Sequence, residues 1–201
     1  MCEAANHIII NTMERNVYLV RHGETEWNKE VRIQGNKDIP LFEEGRVKVE
    51  ELAETLIDIG ISRIATSPLL RALESAEIIS KRLGGIPMEI REGLRERNLG
   101  ELEGLLVDEV KAIHGEDWQL ITPPMGEPQD EFKIRIVNEF EEVVKQYPNE
   151  NLLFVCHGWV IGVLDSHLAP DSKERRDGYA VKNSTLYTYP IITESGKPTN
   201  I

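Results

Sequence analysis

The stretch Val17-Tyr18-Leu19-Val20-Arg21-His22-Gly23-Glu24 decides how the rest of this chain is read. Its first four residues are β-branched, aromatic or aliphatic, with no polar partner alternating between them. That is the pattern of a buried strand. The next four are polar, and Gly23 permits a sharp bend. The stretch therefore reads as a buried strand that feeds a polar loop at its carboxyl end.

Working outward, strands and helices alternate. From Glu43 to Ile59, Val47, Val49, Leu52, Ala53, Leu56 and Ile57 recur at helical spacing, and Gly60 follows as a C-cap. Ile61–Ser67 reads as a second strand. Ser67 is expected to cap the next helix, with Pro68 at its first position. That helix carries Leu69, Leu70, Leu73, Ala76 and Ile79 on one face and stops near Gly84-Gly85. Met88–Arg91 is a weak third strand, Leu105–His114 a helix, Thr122–Pro128 a loop and Asp130–Tyr147 an amphipathic helix. Asn151–Cys156 is the clearest buried strand. His157-Gly158 and a helix to Leu168 follow it, and Thr185–Tyr189 is the last strand. The alternation predicts an α/β three-layer sandwich, with a largely parallel central sheet flanked by helices. One domain is expected over residues 1–201, with a core of about 15–190 and residues 1–14 a possible extension.

Composition narrows the function. Asp and Glu outnumber Lys and Arg by 35 to 23, a net charge of −12, so nucleic acid and anionic membrane surfaces are poor partners. No apolar run reaches membrane-spanning length. The N-terminus has no basic, apolar leader, and the two cysteines, Cys2 and Cys156, form no disulfide framework. A cytoplasmic protein, monomeric or homodimeric, is expected.

Ligands of open α/β sheets sit at the carboxyl ends of the strands. Arg21-His22-Gly23, Arg71 after Ser67-Pro68, and Cys156-His157-Gly158 all fall there. Two histidines and two arginines make a cationic pocket in an acidic protein. Guanidinium forks suit phosphate oxygens, so the expected ligand is a small phosphorylated metabolite. A neutral imidazole flanked by arginines can attack phosphorus, and Glu96, after the third strand, is the best-placed carboxylate for proton transfer. Cys156 fails as a nucleophile of the cysteine-phosphatase kind, because position 162 is glycine where a phosphate-wrapping arginine is needed. A zinc site on the histidines is disfavoured by Arg21, and no metal or cofactor is expected. His7, His114 and His167 read as structural or exposed, and Trp27 and Trp159 as pocket wall or core.

Here a resemblance becomes specific. Leu19–Asn28 (LVRHGETEWN) resembles the signature of the histidine phosphatase superfamily, the phosphoglycerate-mutase-like group. Ser67–Ala72, Leu94-Arg95-Glu96 with Gly100–Gly104, and Val155–Gly158 resemble its other motifs, in the family's order. The resemblance implies that His22 carries the phosphohistidine. Arg21, Arg71 and His157 would hold the phosphoryl oxygens, and Asn28 would add a hydrogen bond. Glu96 would be the general acid and base. Gln34, Gly35 and Gly158 would line the phosphate site.

Some positions depart from the pattern. Cys156 stands where serine is common and Leu102 where an aromatic is common. Gly126-Glu127-Pro128 resembles the family's substrate loop but lacks its serine. Arg32-Ile33-Gln34-Gly35 resembles the phosphatase branch, whereas mutases show a Gly-Trp pair there and carry a longer insertion. A phosphomonoesterase is therefore expected. The alternatives are a phosphoglycerate mutase and, from another class, an inactive phospho-ligand-binding protein. Specificity is expected in Leu105–Gln129 and in a Lys173–Arg176 loop.

Overall fold

The fold was analysed in a computed structural model, which describes residues 12–172 and 181–194. Five strands, β1 (Thr12–Arg21), β2 (Arg63–Thr66), β3 (Met88–Ile90), β4 (Leu152–Cys156) and β5 (Leu186–Glu194), form one sheet in the order β3-β2-β4-β1-β5. All neighbours are parallel except β1 and β5, which run antiparallel from Thr12 opposite Glu194 to Val20 opposite Leu186. β1 and β5 are both longer than the strands expected from the sequence. Ladder pairing with each other carries them past Val17 and Tyr189.

Among the described residues the α-helices are α1 (Glu26–Lys29), α2 (Glu43–Thr55), α3 (Leu70–Arg82), α4 (Val107–His114), α5 (Gln129–Gln146) and α6 (Gly158–Leu168). Strand alternation sorts them onto two faces. Val17 and Leu19 point into one core with Phe154, Phe132, Ile136 and Phe140 of α5, and Val160 and Leu164 of α6. Tyr18 and Val20 point into the other with Val155, Ile64, Val49 and Ala53 of α2, and Ala76 and Ile79 of α3. A third cluster, Ile33, Leu99, Leu102, Val110 and Trp118, lies under the loops beside α4. The three-layer α/β sandwich is thus the observed fold.

Gly60 ends the second helical segment in the left-handed region (φ 80°), after a short 3-10 turn at Ile57–Ile59. The start of α3 differs from expectation. Its first residue is Leu70, not Pro68, and Leu69 is the N-cap. The Ser67 hydroxyl faces His157 instead of acting as the helix N-cap.

This topology fixes where a cleft opens. β1 and β4 are neighbours, with Arg21 opposite Cys156. The chain leaves β1 toward α2 on one face and β4 toward α6 on the other. Adjacent strands whose connections depart to opposite faces leave a crevice at their carboxyl ends.

Candidate active site

His22 sits one residue past β1, and its N–H still donates to Cys156 O at 3.0 Å, which extends the parallel ladder and fixes the ring's origin. The side chain is 2% exposed. Nδ1 lies 2.6 Å from the Gly23 carbonyl, and Nε2 lies 3.2 Å from Arg71 Nε. A carbonyl only accepts and a guanidinium only donates, so the two partners dictate the tautomer: the proton is on Nδ1 and the lone pair on Nε2. Burial, then Arg71 and Arg21, hold the imidazole pKa well below its ordinary value. At neutral pH His22 is a neutral imidazole whose Nε2 lone pair accepts from Arg71 Nε.

Arg71 is almost fully buried. It donates to Lys37 O and Gly35 O at 2.8 Å each, as well as to His22. Burial brings its pKa down to about 10, against the opposing pull of Glu96. It remains cationic at neutral pH, and two of its five N–H groups are left over. Arg21 donates to Val181 O at 2.6 Å. Glu96 lines the same cleft, accepting from its neighbour Arg97 N at 3.1 Å and from Trp159 N at 3.2 Å. Burial raises its pKa, against those two hydrogen bonds and the charges of Arg71 and Arg21.

His157 caps α6, is fully buried, and lies with its ring centroid 5.3 Å from that of His22. Its Nε2 is 2.8 Å from Ser67 Oγ. Burial and the arginines hold it neutral too, with a pKa well below the ordinary value. Unlike the other expected residues it does not line the cleft surface, which Arg21, His22, Asn28, Gln34, Gly35, Arg71, Glu96 and Gly158 do. Asn28 Oδ1 accepts from Thr25 N and Oγ1 in the capping box of α1, so only its amide nitrogen is available to a ligand. Gln34 Oε1 is buried without a hydrogen-bond partner. Gly35 has φ 50°, and a Cβ there would meet Glu103 Oε1 at 2.2 Å. That carboxylate holds the loop by accepting from Asn36 N and Leu99 N.

Leu70 N, at the start of α3, donates to Asp38 at 2.6 Å, and Trp159 N, in α6, to Glu96. The departure noted at the substrate-loop segment has a counterpart in the structure. Gly126-Glu127-Pro128 does not line the cleft; Glu127 is paired with Arg135 at 2.7 Å. Of Leu105–Gln129 only Val107 reaches the cleft, and Lys173–Arg176 lies outside the described residues. The outer wall is instead Trp27, Val31, Ile33, Leu99, Val107 and Trp159, around a space of about 230 Å³.

Two supports were missed in the sequence. Asn183 Nδ2 donates to His22 O at 2.8 Å, and Ser184 N to Arg21 O at 3.1 Å, which ties the turn after β1 to the start of β5. Ser75 Oγ accepts from Gly23 N at 2.9 Å and donates to Arg71 O at 2.6 Å. The spacing of Ser75 four residues after Arg71 on a helix was a signal for the second. Cys156 is fully buried, and burial raises its thiol pKa far from the reactive range.

A parallel sheet with two imidazoles, two guanidiniums and a carboxyl group converging at its switch point describes a class of phosphate-handling α/β protein. The model of the histidine phosphatase superfamily, branch 1, matches residues 17–197, and the chain belongs to that superfamily. It is 35% identical over 158 residues to "Uncharacterized phosphatase PhoE" of Bacillus subtilis (strain 168), with 79% of each chain covered. It is 38% identical over 170 residues to "Probable phosphoglycerate mutase GpmB" of Cronobacter sakazakii, covering 80% of this chain and 78% of that protein. The crystal structure of a phosphoglycerate mutase from Bacillus anthracis superposes with a TM-score of 0.79 at 26% identity, over 92% of this chain and 93% of that one.

Proposed function

We propose that this protein is a phosphomonoesterase that hydrolyses a small phosphate ester through a phosphohistidine on His22. The observation that carries the reading is the His22 ring itself. Its Nδ1 proton is held by Gly23 O, and its Nε2 lone pair accepts from Arg71 Nε, a bond that an incoming phosphoryl group would replace, in a cleft that Arg21 and Glu96 also line. In the first step Nε2 attacks phosphorus, the P–N bond forms and the P–O ester bond breaks. Glu96, whose pKa burial raises, in its protonated form gives its proton to the leaving oxygen. In the second step Glu96 takes a proton from water, the hydroxide oxygen attacks phosphorus, and the P–N bond breaks to give inorganic phosphate. Arg21, Arg71 and His157 stabilise the charge on the equatorial oxygens throughout.

Hydrolysis is favoured over mutase action by the outer wall. A mutase must hold the carboxylate and second phosphate of its substrates. Among the described residues that line the cleft beyond the phosphoryl site, the cation is Arg32, which is engaged with Glu30 and Gly104 O. The remaining wall is apolar, which suits an uncharged or aromatic leaving group.

Quenching with alkaline detergent during turnover of a 32P-labelled ester is expected to trap an acid-labile, base-stable phosphoenzyme in the wild type and none in His22→Ala. Equal labelling of the two would defeat the mechanism. With 3-phosphoglycerate, free phosphate is the expected product, and accumulation of the 2-isomer would instead make the protein a mutase.

A further inference from the structure

The Ser67 hydroxyl lies where the expected helix cap should be, yet the helix begins three residues later. Ser67 is fully buried just past β2, and its own N–H donates to Val155 O at 3.1 Å, so its position is set by the sheet. Two groups reach its Oγ: Leu69 N at 3.3 Å and His157 Nε2 at 2.8 Å. On the other edge of that imidazole, Nδ1 is buried and has no hydrogen-bond partner.

Hydrogen-bond accounting separates the two arrangements. If Nε2 carried the proton, Ser67 Oγ would accept from both Leu69 and His157. Its own O–H would then have no acceptor, and Nδ1 would keep a bare lone pair in the buried floor of the site. If Ser67 O–H donates to Nε2 while Oγ accepts from Leu69, both serine functions are satisfied. One group is then left over, an N–H on Nδ1. That is the group a phosphoryl oxygen can satisfy.

We propose that Ser67 is a positioning residue that fixes His157 as its Nδ1–H tautomer, so that this N–H is presented to the phosphoryl group. The tautomer claim stands on the buried contacts alone; its use on a phosphoryl oxygen rests on the proposed phosphatase reading. The serine touches no reacting atom and acts only through the imidazole.

The test has a spectroscopic arm that needs no turnover. In 15N-histidine-labelled wild type, with the His157 signals assigned by their loss in His157→Asn, Nδ1 is expected to give a pyrrole-type shift and Nε2 a pyridine-type shift. The reverse pattern overturns the proposal whatever the enzyme catalyses. Ser67→Ala is expected to convert this to a tautomer mixture and to lower kcat on 4-nitrophenyl phosphate by about tenfold or more, with a much smaller change in KM. Ser67→Thr, which keeps the hydroxyl, is expected to restore the pattern. In the His157→Asn background, Ser67→Ala is expected to cost little more; full additivity of the two losses would also overturn the proposal.

Discussion

The floor and the outer wall of the cleft are built on opposite principles. On the floor every catalytic candidate is held by at least one buried partner. His22 is fixed from both ring nitrogens, Arg71 from three of its N–H groups, and Glu96 by two backbone amides. The wall is apolar and partly exposed. It hangs on a short ladder in which Ile33 N donates to Leu105 O, Gly104 N to Ile33 O and Val107 N to Val31 O. A floor of this kind performs one chemistry, because no group can move without leaving a polar atom unsatisfied. A wall of this kind can change its side chains without touching that chemistry. The difference predicts that floor substitutions act on kcat and wall substitutions on the choice of leaving group.

The largest expected effect is at Arg71. Arg71→Met should lower kcat/KM for any phosphate ester by about 10³-fold, the scale of removing a charged donor from a phosphoryl site. Arg71→Lys should lose nearly as much. A single ammonium cannot reach Gly35 O, Lys37 O and His22 together. Steady-state kinetics on an aryl and an alkyl phosphate check this, and near-wild-type activity in the lysine variant would mean that the fork geometry does not matter.

Glu96 comes next, and here the two pKa directions set the pH profile. His22 must be deprotonated, and its pKa lies well below the ordinary value, so activity persists into mildly acidic buffer. Glu96 must be protonated for the first step, and its raised pKa means that activity falls as pH rises through it. Glu96→Gln should remove that alkaline limb. It should cost about 10²-fold or more on an alkyl phosphate, and less on 4-nitrophenyl phosphate, whose leaving group needs no proton. Both enzymes see the same ester, so its own ionisation cancels in the ratio. An unchanged alkaline limb in the variant would assign that limb to another group.

Gly35→Ala tests the joint between floor and wall. A methyl group would press on the Glu103 carboxylate in a left-handed backbone, which should destabilise the fold by about 1–3 kcal/mol. It should also lower kcat, because Gly35 O anchors Arg71. Thermal melts and kinetics on the same preparation would separate the two effects.

The floor was far more legible in the sequence than the wall, and the reason is physical. Arg21 ends β1, and His22 and His157 directly follow β1 and β4, whose ends are neighbours whatever the loops do; Glu96 lies farther out, past a 3-10 turn after β3. Arg71 was found with them although α3 begins later than expected, because a shift of two residues leaves it in the first turn. The wall ladder joins residues 31–33 to 104–107 with no apolar run to announce it. Gly126-Glu127-Pro128 resembles a substrate loop over three residues without its serine, and the pairing of Glu127 with Arg135 is not revealed by the local sequence. Loop 181–184 went unnoticed because its partner is β1, and antiparallel pairing across that distance is set by tertiary structure.

The smallest expected effect is also the sharpest test of the division. α1 ends in a Schellman arrangement: Val31 N donates to Asn28 O and Arg32 N to Trp27 O. The residue at the left-handed position of such an end is usually glycine, but here it is Val31, with φ 56° and 58% exposed at the cleft mouth. A β-branched residue in that region costs about 1–2 kcal/mol, and so exposed a side chain recovers little of it by burial. Val31→Gly should therefore stabilise the fold by roughly 1 kcal/mol, a Tm rise of about 2–4 °C for a domain of this size. The same change removes an apolar contact from the wall. KM for an aryl phosphate should rise severalfold, with kcat nearly unchanged, while a small alkyl phosphate should be indifferent. Stability and leaving-group preference would then move in opposite directions at one residue. A loss of kcat instead would show that the wall reaches into the floor after all.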